Sequence, residues 1–165
     1  MPFEGTEKEI RDRLVAIIMQ AAPATKAWNR FRIAKSDGEY KAWYVQEDKN
    51  INVWFVRRVA LRVKKTETFD VESETHFYEC RYVRGIADSD TDGEDSENIF
   101  QQQFEDVRGL IEASKDLGLD SCQISHTGLE ILTPISFNEA VMGIAAAHLA
   151  IGTIAVTIAN PEYEE

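Results

Sequence analysis

Asp88, Asp90 and Asp92 stand at alternate positions ahead of Gly93, which is the opening half of a calcium loop. Hard calcium favours clustered oxygen ligands, and the glycine allows the sharp turn between them. The second half departs from that pattern. The twelfth position, where a bidentate Glu closes the site, is Ile99, and the eighth, normally apolar, is Asp95. Two readings follow: a weak calcium site at Asp88, Asp90 and Asp92, or a solvated loop whose acids favour the positive end of the next helix. The missing closing carboxylate predicts weak calcium binding or none.

Other residues capable of chemistry are scattered. His76, His126 and His148 have no carboxylate or cysteine at ligand spacing, so they gather a metal or act as a base only if the fold collects them. Ser121 and Cys122 lack the turn of a nucleophile elbow. Neither of the common glycine-rich phosphate cradles occurs. Cys80 and Cys122 are the two cysteines, far apart and without metal-binding spacing, which predicts free thiols in a reducing compartment, with a single disulfide as the other reading. No catalytic residues, metal or cofactor are assigned, and the chain reads as a non-enzyme.

One cluster remains. Arg57, Arg58, Arg62, Lys64 and Lys65 crowd one short stretch, next to Trp54 and Phe55. A phosphate backbone with bases stacked on the aromatics is one reading. A charged strand face, solvated or set against a protein partner, is another. The distribution of charge favours a protein. Residues 23–65 carry eleven Lys/Arg against four Asp/Glu, a net of +7, whereas residues 66–105 carry −10 and residues 106–165 carry −7. The whole chain is at −11, which argues against a free-standing nucleic-acid binder. A molecule with one basic and two acidic segments can present opposite potentials on two surfaces and dock head to tail onto copies of itself. The subunit contact would then join Arg57, Arg58, Arg62, Lys64 and Lys65 to acids such as Glu67, Asp70, Glu72 and Glu74.

The elements that must position these residues can be read from periodicity. The 165 residues suffice for one domain, 1–165, with its own core. Thr6 and Glu9 have capping-box spacing, and Ile10, Leu14, Ile17, Ile18 and Ala21 form an apolar helical stripe that Pro23 ends. Ser36, Asp37 and Gly38 signal a turn, and Tyr40–Val45 reads as a strand. Ile51–Lys65 and Thr75–Ile86 read as two long antiparallel strands joined by the acidic stretch Thr66–Glu74, a long hairpin. Val59, Leu61 and Val63 would share one face and Arg58, Ala60, Arg62 and Lys64 the other. On the return strand, His76, Tyr78, Cys80 and Tyr82 would share a face.

An acidic loop is expected at 87–98. A second helix is expected over about Ser96–Leu117, with Phe100, Phe104, Val107 and Ile111 on one side and Gly118 as its stop. Short strands follow near Cys122–Ser125 and Leu129–Leu132, and a frayed tail closes the chain at 160–165. Ala140–Ala159 is twenty residues without a charge, long enough to span a bilayer. Its flanks lack Lys and Arg, and Ile154, Val156 and Ile158 alternate with smaller residues, so a buried strand is expected instead. The N-terminus has no basic region followed by an apolar one, so no signal peptide is expected. Helix, strands, helix, strands predicts an α+β fold, a mainly antiparallel sheet packed by two principal helices.

In size and element order the chain resembles the tail terminator, or tail completion, proteins of long-tailed bacteriophages, the minor tail protein U type. The resemblance is carried by the helix Ile10–Ala22, the strand entering through Val53, Trp54 and Phe55, and the aromatic strand Phe77–Gly85. It continues through the helix opening at Phe100–Val107 and the segment Ala147–Ile154 that leads into the last strand. It implies a structural protein of the virion tail or neck, assembled in the host cytoplasm and without catalysis. It would form a ring, commonly a hexamer. The ring would touch the tail tube protein and a head-side connector or stopper, and DNA would only pass through it. Another neck or head–tail joining ring protein is the alternative, as is a nucleic-acid-binding module using residues 57–65.

Overall fold

The computed structural model describes residues 6–32, 34–46, 50–86, 94–119, 123–131, 136–141 and 145–163. It is an α+β fold. The order is α1 (Thr6–Ala21), β1 (Lys26–Trp28), α2 (Asp37–Tyr44), β2 (Asn52–Lys65), β3 (Val71–Gly85), α3 (Glu94–Ala113), β4 (Gln123–His126), β5 (Glu130–Ile131), β6 (Ser136–Val141) and β7 (Ala145–Ala159), with a 3-10 turn at Pro161–Tyr163. The strands form one sheet in the order β1-β2-β3-β7-β4, with β5 and β6 also paired to β7. The β1–β2 pair is parallel and the rest antiparallel.

The expected helical stripes face the sheet. Ile10, Leu14, Ile17 and Ile18 of α1 are buried with Phe100, Phe104, Val107 and Ile111 of α3. They meet the strand face formed by Trp54, Val56, Tyr78, Cys80, Tyr82, Ile154, Val156 and Ile158. Each fully buried aliphatic or Phe side chain contributes roughly 1.5–3 kcal/mol. At the centre, Tyr82 stacks on Trp54 with centroids 4.5 Å apart and on Phe100 at 4.7 Å. Its hydroxyl donates to Gln103 of α3. Gly152 of β7 lets Leu129 and Phe104 come close: a Cβ there would stand 2.7 Å from Leu129 Cδ1 and 3.2 Å from Phe104 Cζ.

Several expectations are corrected. Tyr40–Val45 is not a strand; Asp37–Tyr44 is α2, opened by Ser36, whose side chain accepts from the Glu39 backbone N–H. This helix lies on the reverse side of the sheet, where Tyr40 and Tyr44 are buried with Val53, Phe55, Val83 and Ala147. The hairpin connection is shorter than Thr66–Glu74, because β3 begins at Val71. Of the loop expected at 87–98, Glu94–Asn98 belongs to α3 and residues 87–93 lie outside the described residues, and α3 ends at Ala113 rather than Leu117. Leu117 and Gly118 adopt left-handed conformations beyond that end. Ala140–Ala159 divides into the end of β6 and all of β7, which pair with each other from Val141↔Ala145 onward. The alternation within β7 is as expected: Ile154, Val156 and Ile158 are buried and Thr153, Ala155 and Thr157 less so. The tail is anchored at its start, where Asn160 donates from its backbone N–H to Glu72 and from Nδ2 to Val71. Among the described residues no helix is long and apolar enough to cross a membrane.

Candidate functional site

Strand β2 changes character halfway. Asn52–Val56 is buried, and Arg57–Lys65 is exposed without interruption. The cause is coverage. β1 pairs only with Val53–Phe55, so beyond that point β2 is the outer strand of the sheet. β3 stays inside the sheet because β7 pairs with it from Ser73 to Gly85.

The exposed half is mostly a face rather than an inviting edge. Its register shifts between Arg58 and Ala60 and again between Lys64 and Lys65. Irregularities and cations are devices that keep an outer strand from pairing with another chain. The first shift also changes which residues share a side. Arg58 lies opposite Tyr78, Ala60 opposite Phe77, Leu61 opposite His76 and Val63 opposite Glu74. Leu61 and Val63 therefore continue the side that Trp54 and Val56 occupy in the core, but past the reach of the helices. Val59, Leu61 and Val63 are 49%, 47% and 39% exposed. Arg58 does not join Arg62 and Lys64 on the opposite side as the strict alternation predicts; its guanidinium lies 3.3 Å from His76 Nδ1. Phe69, at the tip, is 81% exposed with φ of 67°, unusual for a bulky residue.

The cations have neighbours within the arm. Arg57 is bound to Glu79 at 3.2 Å, and Lys64 to Glu72. Arg62 stands over Phe77 at 5.4 Å. Glu74 holds His76 Nε2 at 3.1 Å. Asp70 belongs to the turn: its carboxylate accepts from Thr68 Oγ1 and its backbone N–H donates to Thr66 Oγ1. Lys65 and Glu67 are exposed at the tip. The structure thus gathers Arg57, Arg58, Arg62, Lys64, Lys65, Glu67, Asp70, Glu72 and Glu74 on one hairpin. Within it, Glu72 answers the charge of Lys64 and Glu74 binds the imidazole of His76. His76 is buried, and desolvation, opposed by Glu74, holds its pKa below the ordinary 6.5.

The aromatics offered for base stacking are not available: Trp54 is 0% and Phe55 3% exposed. Arginine–aromatic contacts missed by the sequence reading lie on the reverse side instead. Arg32 stands over Trp28 at 4.1 Å and Trp43 at 5.0 Å, and Arg57 and Arg81 stand over Phe31 at 4.0 and 4.6 Å.

His76, His126 and His148 each have a different partner. Ser96 Oγ lies 2.8 Å from His148 Nε2, a nucleophile–base spacing, but both residues are buried. Nothing in sequence spacing links two residues 52 positions apart. His126 Nε2 is 2.7 Å from the Ser114 carbonyl oxygen. Cys80 is a buried free thiol whose pKa desolvation pushes up to about 12. A groove of about 510 Å³ between α1 and α3 is lined in part by Arg13, Ile17, Leu110, Ser114, Lys115 and Asp116. Among the described residues no three His, Cys, Asp or Glu come together to hold a metal. Asp88, Asp90, Asp92, Ser121 and Cys122 lie outside the described residues.

No family model and no curated protein matches the chain. Several solved structures are similar to the chain, among them one at 14% identity and a TM-score of 0.41, over 94% of this chain and 93% of the other. That likeness is too loose to carry an argument about function.

Proposed function

We propose that this chain is a structural subunit that assembles with copies of itself into a ring, of the kind that caps a phage tail tube and meets the head-side connector. The observation that carries the reading is the outer half of β2, which holds five cations and three half-exposed aliphatic residues beyond the helical layer. Exposed apolar residues set among charges mark a surface made for protein contact. The rest of the chain is strongly acidic, so the arm and the body are complementary. The resemblance to tail terminator proteins supplies the biological setting, and supplies it by analogy.

The nucleic-acid reading is weaker. Trp54 and Phe55 are buried, and Arg57 and Lys64 already have carboxylate partners. A phosphate binder must lose affinity steeply with salt, and the protein is expected to show no such DNA binding.

The test is the mass of the purified protein across concentration and ionic strength, followed by electron microscopy with tail tubes. Annular particles, free or seated on tube ends, are expected. A protein that stays monomeric at every concentration and ignores tubes would end the proposal.

A further inference from the structure

The arm needs an acidic counterpart, and its own acids are largely engaged at home. Helix α3 offers one. Its sequence holds six Asp/Glu and a single Arg. That arginine, Arg108, is bound to Glu105 and Glu112 of the same helix. Outside the arm, the large apolar side chains left exposed among the described residues are Met19, Ile99 and Tyr163. Ile99 is on α3 and is 45% exposed. Helical spacing places Asp95, Gln102 and Asp106 on its stripe, and all three are exposed. Gln102 donates to Asp106 at 2.8 Å.

Two surfaces of matching design therefore exist on one chain. The first is apolar at its centre (Val59, Leu61, Val63), with Arg58 on the same side and with Arg62 and Lys64 rooted on the opposite side of an outer strand that leaves their long side chains room to reach around it. The second is apolar at Ile99 with carboxylates around it. They sit at opposite ends of β3. Leu61 lies across from His76, whereas Arg84, eight residues along, reaches Gln103, one turn from Ile99. At the rise of a strand this separates them by roughly 27 Å, so the two surfaces of one molecule are kept apart.

We infer that the outer half of β2 seats on the Ile99 face of α3 in the next copy, with Arg62 and Lys65 meeting Asp95 and Asp106. This rests on the ring reading and names its contact. The contact is heterologous, since different surfaces meet, and that is the geometry that closes rings. It uses the side chains of β2 rather than its backbone edge, in keeping with the two register shifts. On an outer strand, long Arg and Lys side chains can turn toward carboxylates while their stems lie on apolar surface.

The test uses the full chain. Two double reversals are made: Arg62→Glu with Lys65→Glu, and Asp95→Lys with Asp106→Lys. Each is expected to raise the midpoint concentration of assembly about tenfold or more, and all four changes in one chain to recover most of the loss. A second measurement does not depend on reversed charges. Leu61→Cys and Ile99→Cys proteins are mixed under mild oxidant in a Cys122→Ala background, with Cys80 buried and out of reach. The mixed disulfide is expected to exceed that of Leu61→Cys with Met19→Cys. Assemblies that tolerate both reversals and form no 61–99 disulfide overturn this contact and leave the ring standing. A wild-type protein that is monomeric at every concentration, forms no 61–99 disulfide and ignores tail tubes overturns both.

Discussion

Leu61 and His76 face each other across the β2–β3 ladder, yet Leu61 is 47% exposed and His76 is 3% exposed. The difference marks where the core stops. β3 is flanked by β7 and lies near the start of α1, whose Glu7 carbonyl accepts from the Tyr78 hydroxyl at 3.4 Å. β2 at this level has no outer neighbour. One ladder step therefore separates residues that hold the fold from residues free to meet a partner.

His76 should make stability depend on pH. Burial disfavours its charged form, so its folded pKa lies below the unfolded value of about 6.5. Its contribution is complete above the unfolded pKa. It is lost as pH falls from there through the folded pKa, because the unfolded chain then binds the extra proton. Glu74, Arg58 and Glu7 act on the same ring, and the carboxylates oppose the shift. Chemical denaturation across this window should show stability falling with pH, and His76→Gln should flatten that limb. An unchanged slope in the variant would assign the effect elsewhere.

Gly152 and Leu129 should be energetically coupled. Gly152→Ala pushes a Cβ against Leu129 and Phe104 and should cost about 1–3 kcal/mol. Leu129→Ala opens a cavity and should cost about 2–5 kcal/mol. The double variant should be less destabilised than the sum of the two, because the added methyl enters the vacated space. A strictly additive result from denaturant titration would contradict the close approach.

Strand β7 should respond to charge by parity. Asp at Ile154 or Val156 enters the core beneath the helices and should cost about 3 kcal/mol or more. Asp at Thr153 or Thr157 should cost less. The price at Thr157 is chiefly its hydroxyl contact with Thr75 at 2.9 Å. Equal losses at all four positions in thermal unfolding would remove the two-sided reading of the strand.

Phe69→Asn should stabilise the isolated subunit by roughly 0.5–1 kcal/mol, since Asn tolerates a positive φ and the exposed phenyl ring buries little. A lower Tm in the variant would mean that the ring makes contacts that its exposure conceals.

Much of this fold was legible in the chain because its signals were periodic. Ile10, Leu14, Ile17 and Ile18, and then Phe100, Phe104, Val107 and Ile111, mark helix faces without ambiguity. His76, Tyr78, Cys80 and Tyr82 mark a strand face as clearly. Helix α2 was hidden because Tyr40, Trp43, Tyr44 and Val45 are residue types common in strands, while the deciding signal is the single cap at Ser36. The register shift after Arg58 was hidden because alternation counted through it assigns Arg58 to the wrong side. The basic arm was visible as composition. Its open surroundings were not, because exposure depends on how far β1 and the helices extend along β2, and no local pattern records that.

The helical layer is shorter than the sheet it covers, and this divides the constraints on the chain. Substitutions at Trp54 or Tyr82 must satisfy a packed interior, whereas those from Val59 to Lys65 must keep the strand and match the surface they meet. The exposed half can therefore drift quickly while the fold stays put. Related chains with the same interior could acquire different neighbours by changing a few outer residues, so divergence in partner choice would run ahead of divergence in architecture.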